Sequence, residues 1–219
     1  MTARAEGYAT GRARRDQIVE SATELFARVG YRHATILQIA QHVGISRTGL
    51  LHHFASKEAL PEAVLARRDA EDMARFRPSA DDGTGLAAMR AWVELSRYNA
   101  SVPHLVSLYA VLSAEACDPR HPAHDYFAQR YARTVGGFER VLTKAAAAGL
   151  LVPGTDPAVE ARALVALMDG LQIQWLLDPD PSLMGDVLAA KLQQLLVVPL
   201  LDPAVVRRDV AHQGRVGVE

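Results

Sequence analysis

A chain of 219 residues has room for one large or two small domains, and 49% hydrophobic with 22% charged residues suits a packed globule rather than a disordered one. Its formal net charge of −1 argues, taken whole, against a nucleic-acid binder, since such domains usually carry a basic excess. The single cysteine, Cys117, excludes an intramolecular disulfide and fits a reducing cytoplasm. The arginines near the N-terminus come without the apolar core of a secretory signal. The longest apolar run, Leu195 to Leu201, is interrupted by Pro199 and falls far short of the ~20 residues that span a bilayer. A cytoplasmic protein with no membrane partner is expected.

Helical periodicity recurs along the chain and period-two alternation does not, which predicts an all-α fold. The first helix is expected from about Arg12 to Val29, with Ile18, Ala22, Leu25 and Phe26 on its apolar stripe and Gly30 as its stop. Thr35 caps a second helix, and Gln38 three residues later completes a capping box. Gly44 ends that helix after barely two turns. Ser46 caps a third, which ends near Phe54, and Ile45 and Leu50 form a hydrophobic staple across its start. A fourth helix is expected from a Ser56 cap to about Arg75. Arg77 to Gly85 reads as a linker. Longer helices follow: about Leu86 to Ala100, Pro103 to before Asp118, Pro122 to Ala148, Pro157 to Leu177 behind an Asp156 cap, and Ser182 to about Val198.

Thr35 to Phe54 carries the functional signal. Two short capped helices separated by Gly44-Ile45-Ser46 make a helix-turn-helix pattern, in which the glycine permits the turn and Ile45 fills the corner. Leu50 and Phe54 point inward from the third helix, leaving Arg47, Thr48, Leu51 and His52 elsewhere. Arginine can bind a guanine edge, threonine can donate or accept, and leucine can touch a thymine methyl. A plain αα-corner would share the turn but not the surrounding caps and staple.

The run G-I-S-R-T-G-L-L-H-H-F-A-S-K-E-A-L, with Arg15, Ile18, Ala22, Leu25 and Phe26 upstream, resembles the tetracycline-repressor (TetR) family signature. The resemblance is specific over about Arg12 to Leu65 and continues only as a helical pattern. It implies backbone contacts to DNA from Thr35, Ser46, His53 and Lys57. Arg47, Thr48 and His52 become candidates for base edges, Leu51 shares their surface, and Gln38 is a further candidate. Arg12, Arg14 and Arg15 would form an arm ahead of the first helix. Two positions depart from the family pattern: Leu51 stands where tyrosine is usual, and Thr48-Gly49 replaces the common glycine-threonine order. Leu51 cannot hydrogen-bond a phosphate, and Gly49 weakens the third helix by roughly 0.5–1 kcal/mol against alanine.

The last two long helices are apolar over wide arcs, so each needs cover on both sides. The resemblance implies a homodimer through helices 156–177 and 182–198. Two recognition helices would then read a palindromic operator in successive major grooves. It also implies a small-molecule inducer, for which Met89, Trp92, Tyr109, Phe127, Tyr131, Met168, Gln172 and Trp175 suit a hydrophobic or aromatic ligand. Cys117, His121, His124 and Asp125 are metal-binding types, but their spacing matches no familiar metal motif. With no G-x-S-x-G nucleophile turn either, neither a metal, nor a cofactor, nor catalysis is expected.

The expected architecture is an N-terminal three-helix helix-turn-helix DNA-binding domain over residues 1–76, with its motif at 35–54. A C-terminal helical ligand-binding and dimerisation domain covers 86–202, and 203–219 form a flexible tail. The expected function is a ligand-released repressor bound to double-stranded operator DNA. The alternative is a helical ligand-binding or scaffold protein without specific DNA binding. Charge separates the two readings. Residues 1–60 hold eight basic and five acidic side chains, a balance of +3, which leaves −4 for the remainder.

Overall fold

The structure, a computed structural model, describes residues 2–76 and 83–201, with side chains described from Gly11 onward. Among the described residues it holds nine α-helices and one isolated backbone bridge. These are α1 (Thr2–Val29), α2 (Ile36–Val43), α3 (Arg47–His53), α4 (Ala59–Arg75), α5 (Leu86–Asn99), α6 (Pro103–Glu115), α7 (His124–Ala147), α8 (Pro157–Leu177) and α9 (Leu183–Leu195). The fold is all-α. Most of the linker expected at Arg77 to Gly85 and the whole tail at 203–219 lie outside the described residues.

The chain separates into two compact units that are not contiguous in sequence. Unit 1 comprises Met1–Arg75 with Val102–Arg130, and unit 2 comprises Phe76–Ser101 with Tyr131–Glu219. Helix α7 therefore contributes to both.

In unit 1 the buried stripe of α1 is Ile18, Val19, Ala22, Leu25 and Phe26. Ile39 and Ala40 of α2, Leu50 of α3, Phe54, and Leu60, Val64 and Leu65 of α4 are buried with them. The i, i+3, i+4, i+7 spacing read from the sequence is the reason these side chains share one interior. Val106, Leu108, Tyr109 and Leu112 of α6 and Phe127 of α7 are also buried here. A partly buried ion pair lies within unit 1: Arg130 donates through Nε and Nη2 to Asp69 at 2.8 and 2.7 Å, and its guanidinium lies 4.6 Å from the Tyr109 ring centroid. Burial alone would lower the pKa of Arg130, but the hydrogen bonds and charge of Asp69 outweigh it and raise the value.

Unit 2 is built on Met89 and Val93 of α5, Phe138, Leu142 and Ala145 of α7, Ala161, Leu164 and Val165 of α8, and Leu188, Leu192 and Leu195 of α9. Gly85 opens α5 at φ +81°, where a β-carbon would lie 2.7 Å from the Val141 carbonyl oxygen, so only glycine fits. Gly185 lets the Arg97 side chain cross α9, where it donates to Asp186 at 3.1 Å as well as to Glu94 at 2.8 Å.

Several boundaries differ from the sequence reading, α7 for one beginning at His124 rather than Pro122. Helix α1 begins at Thr2 rather than about Arg12, so Arg12, Arg14 and Arg15 lie within a helix and not on an arm. No proline interrupts residues 2–15, so the helix continues back through them. Helix α4 begins at Ala59 rather than directly after Ser56, and hydrogen bonding by Ser56 is the first cause of the lowered Glu58 pKa. Helix α9 stops at Leu195, not Val198. Beyond it the chain pairs with the segment after α7: Val152 N–H donates to Leu195 O and Val197 N–H donates to Leu150 O, both at 2.9 Å.

Candidate nucleic-acid interface

The site grows from two helix starts. Thr35, extended at φ −118° and ψ 151°, accepts from Gln38 N–H at 3.2 Å, while the Gln38 side-chain oxygen accepts from Thr35 N–H and from the Thr35 hydroxyl, both at 2.9 Å. Gly44 then takes the left-handed conformation (φ 73°, ψ 33°) and reverses the chain. Ile45 N–H donates to Ala40 O at 2.9 Å, which closes the corner. The Ser46 hydroxyl oxygen accepts from Gly49 N–H at 3.0 Å and starts α3. A β-carbon on residue 49 would lie 3.3 Å from that same oxygen, so the glycine lets the cap close tightly.

Inside the corner, Leu50 is fully buried and Phe54 is 2% exposed. Their burial turns the opposite side of α3 to solvent. Arg47, Thr48 and His52 are exposed and Leu51 is half-buried. Since Leu51 and His52 follow Arg47 and Thr48 by four residues, these side chains form one continuous patch. Arg47 and Thr48 make no side-chain hydrogen bond or ion pair among the described residues. Gln38 on α2 is also exposed.

Other expected contacts already have partners within the protein. Both donors of Thr35, the N–H and the hydroxyl, point at Gln38. The Lys57 ammonium donates to Arg32 O at 3.2 Å and sits 4.6 Å from the centre of the Tyr31 ring. Burial, followed by the charges of Glu58 and Glu115, pushes the Tyr31 hydroxyl up to about 12. His53 is half-buried, its ring edge-on to His52 at 5.9 Å, and its carbonyl oxygen accepts from Arg15. That last bond joins residues 38 positions apart. Its only signal was the placement of Arg15 three and four residues before the buried Ile18 and Val19.

The eight residues expected around a ligand divide between the units. Tyr109 and Phe127 belong to unit 1, with ring centroids 5.7 Å apart. The other six are in unit 2. There Trp92 stacks on Phe138 at 3.8 Å, the Tyr131 hydroxyl donates to Asp169 at 2.7 Å, and Met89 is fully buried in the core. Trp175 is 5% exposed and its indole N–H is without a partner among the described residues. Met168 and Gln172 line a crevice with Ser96, Asn99, Leu171 and Met184 that is too narrow to admit a water. Ser96 and Asn99 were missed in the sequence. The signal was two polar residues continuing the buried stripe Met89, Val93 of α5.

The histidine segment is occupied by local bonding. The His124 ring nitrogen Nδ1 lies 2.8 Å from Ala116 O, and His121 Nδ1 accepts from Ala123 N–H at 3.2 Å. Among the described residues no three histidine, cysteine or acidic groups converge as a metal site. No described helix is long and apolar enough to cross a membrane.

Residues 18–64, which span the helix-turn-helix and its supports, match the family model of bacterial regulatory proteins of the tetR family. Residues 114–197 match the model of the BetI-type transcriptional repressor C-terminal region, so the two matches together span more than half of the chain. This chain belongs to the tetR family. The HTH-type transcriptional regulator BetI 2 of Chromohalobacter salexigens is 28% identical over 174 residues, covering 76% of this chain and 79% of that one. The repressor AcnR of Corynebacterium diphtheriae is 48% identical over 61 residues, covering 28% and 32% of the two chains. Among solved structures, a TetR-family regulator from Agrobacterium tumefaciens superposes with a TM-score of 0.70 at 23% identity, over 85% of this chain and all of that one. The tetR family consists of transcriptional regulators, not enzymes.

Proposed function

We propose that this tetR-family regulator is a homodimeric repressor that binds a palindromic operator and leaves it when a small hydrophobic or aromatic molecule binds unit 2. The observation that carries the reading is the surface of α3 formed by exposed Arg47, Thr48 and His52 with half-buried Leu51, held out by the buried Leu50 and Phe54. Base edges would be read by Arg47, Thr48 and His52, with Leu51 against a thymine methyl. Ser46 and His53 would contact the backbone. Thr35, Gln38 and Lys57 would do so by exchanging their internal partners for phosphate.

The dimer reading rests on α8 and α9. Val159 is 60% exposed, Ile173 54% and Leu177 82%, and together with Ala163, Ala166 and Gly170 they recur at alternating steps of four and three along α8. Val187 and Val197 continue apolar exposure along and beyond α9. A second copy of the same surface would cover this stripe. The ligand reading rests on the crevice where apolar Met168, Leu171 and Met184 meet polar Ser96, Asn99 and Gln172, and the crevice must widen to admit any molecule. Ligand and operator binding must then oppose each other reciprocally.

The decisive experiment is operator selection from random DNA, followed by titration of the selected site over a salt series. Affinity should fall as salt rises, because phosphate contacts release counterions. A flat, weak response would mean a helical scaffold instead. Ile173→Glu with Leu177→Glu should convert the dimer to a monomer in sedimentation, since facing like charges cost several kcal/mol. A double variant that remains dimeric would exclude this face.

A further inference from the structure

We propose that Arg15 is a positioning residue for the recognition helix and not a DNA contact. The inference rests on the assignment of α3 as the base-reading helix. Arg15 Nη1 donates to the His53 carbonyl oxygen at 2.9 Å, and its guanidinium carbon sits 4.0 Å from the centre of the Phe54 ring. One arginine thus joins the last residue of α3 to the residue that caps it.

Helix α3 needs such support. It has only seven residues, and helices that short do not persist alone in water. Gly49 at its centre weakens it further. Its N-terminal end is held by the Ser46 cap, and Leu50 fixes one side. At the C-terminal end the last carbonyls lack intrahelical partners and carry the negative end of the helix dipole. Phe54 N–H reaches back to Leu50 O at 3.0 Å, and Arg15 brings a positive donor to His53 O. Arg15 is itself well anchored. It lies three, four and seven residues before Ile18, Val19 and Ala22, all buried in unit 1.

The location matters because Leu51 and His52, half of the reading patch, lie in that last turn. A shift there spoils hydrogen-bond angles to base edges while leaving the protein's charge near phosphate unchanged. A phosphate-binding arginine would do the opposite. A positioning role therefore predicts loss of discrimination, and a contact role predicts loss of salt dependence.

The test has two arms, each comparing the full-length wild type with Arg15→Ala and Arg15→Lys. In the first, amide hydrogen exchange is followed on the free protein. Amides from Gly49 to Phe54 should exchange faster in Arg15→Ala while those of α8 stay as in wild type, and unchanged α3 exchange overturns the proposal. In the second, binding to an operator selected by the wild type is compared with generic DNA across a salt series. The operator-to-generic ratio should fall by roughly tenfold, the worth of about one base contact, with the salt slope intact. Arg15→Lys should recover part of the ratio, since its ammonium can still donate to His53 O but has no planar face for Phe54. An unchanged ratio overturns the proposal, because a purely stabilising role would lower the melting temperature alone. A slope shallower by about one also overturns it, in favour of a phosphate contact. A wild type without salt-dependent DNA binding defeats the base-reading assignment, and the exchange arm still decides whether Arg15 holds the helix.

Discussion

Helices α2 and α3 begin where a side chain bonds their own first turn, whereas α9 begins and ends where the chain has found partners outside it. Thr35 and Ser46 each sit in extended backbone and accept from an amide three residues on. Ser182, the equivalent residue before α9, is already helical in conformation and makes no capping bond. Its N–H and hydroxyl both donate to Asp180, at 2.9 and 2.8 Å. At the other end, α9 gives way to backbone pairing with the stretch after α7. The starts of α2 and α3 are fixed by bonds into the helix, the start of α9 by a turn at Asp180 behind it, and the end of α9 by pairing with a segment distant in sequence.

That contrast should vanish in the core, where burial dominates in both units. Leu50 and Leu164 are each fully buried, one in unit 1 and one in unit 2. Truncation to alanine should cost about 2–5 kcal/mol at either site, measured by denaturant unfolding. Only Leu50→Ala should also reduce operator affinity while α8 and α9 keep their helical signal. If Leu50→Ala were as stable as wild type, α3 would not be held by its interior at all.

A smaller effect tests unit 1 from a part that no short-range pattern reveals. Asp69 and Arg130 are 61 positions apart and form a two-bond ion pair, with side chains 31% and 22% exposed. Removing one partner of a buried pair strands the other charge. With this much residual exposure, Asp69→Asn should cost about 2 kcal/mol, below the full buried-pair penalty. Denaturant midpoints will show whether α4 and the start of α7 are joined by it. A midpoint equal to wild type would mean that solvent already supports the guanidinium.

These cases indicate why some of the molecule could be read in advance. The caps at Thr35 and Ser46, the turn at Gly44 and the stripe of α1 depend on residues within four positions of each other, and they appear where the spacing put them. Asp156 and Pro157 opened α8 for the same reason. The bond from Arg15 to His53 spans 38 positions and the pairing of Leu151 with Leu196 spans 45, and neither has a periodic signature. The aromatic residues expected around a ligand were chosen by type and rough location. Type alone could not separate Trp92, stacked on Phe138, from Gln172 at the crevice. Ser96 and Asn99 became visible only once α5 was packed.

The smallest predicted effect isolates the capping contrast itself. Thr35→Ala removes the hydroxyl that accepts from Gln38 N–H and donates to the Gln38 side-chain oxygen, leaving only the bond from the backbone N–H of residue 35 to that oxygen, so about 1 kcal/mol of stability should be lost. Ser182→Ala deletes the same functional group from the same position before a helix. Because its hydroxyl donates backward to Asp180 and no amide of α9 relies on it, the change should stay within about 0.5 kcal/mol of wild type. The pair is informative because each variant deletes a hydroxyl from the residue before a helix, one that accepts from the helix's own amide and one that donates backward. Equal losses in the two variants, measured by denaturant unfolding under the same conditions, would show that a hydroxyl at a helix start stabilises α9 as it does α2 whatever it bonds to.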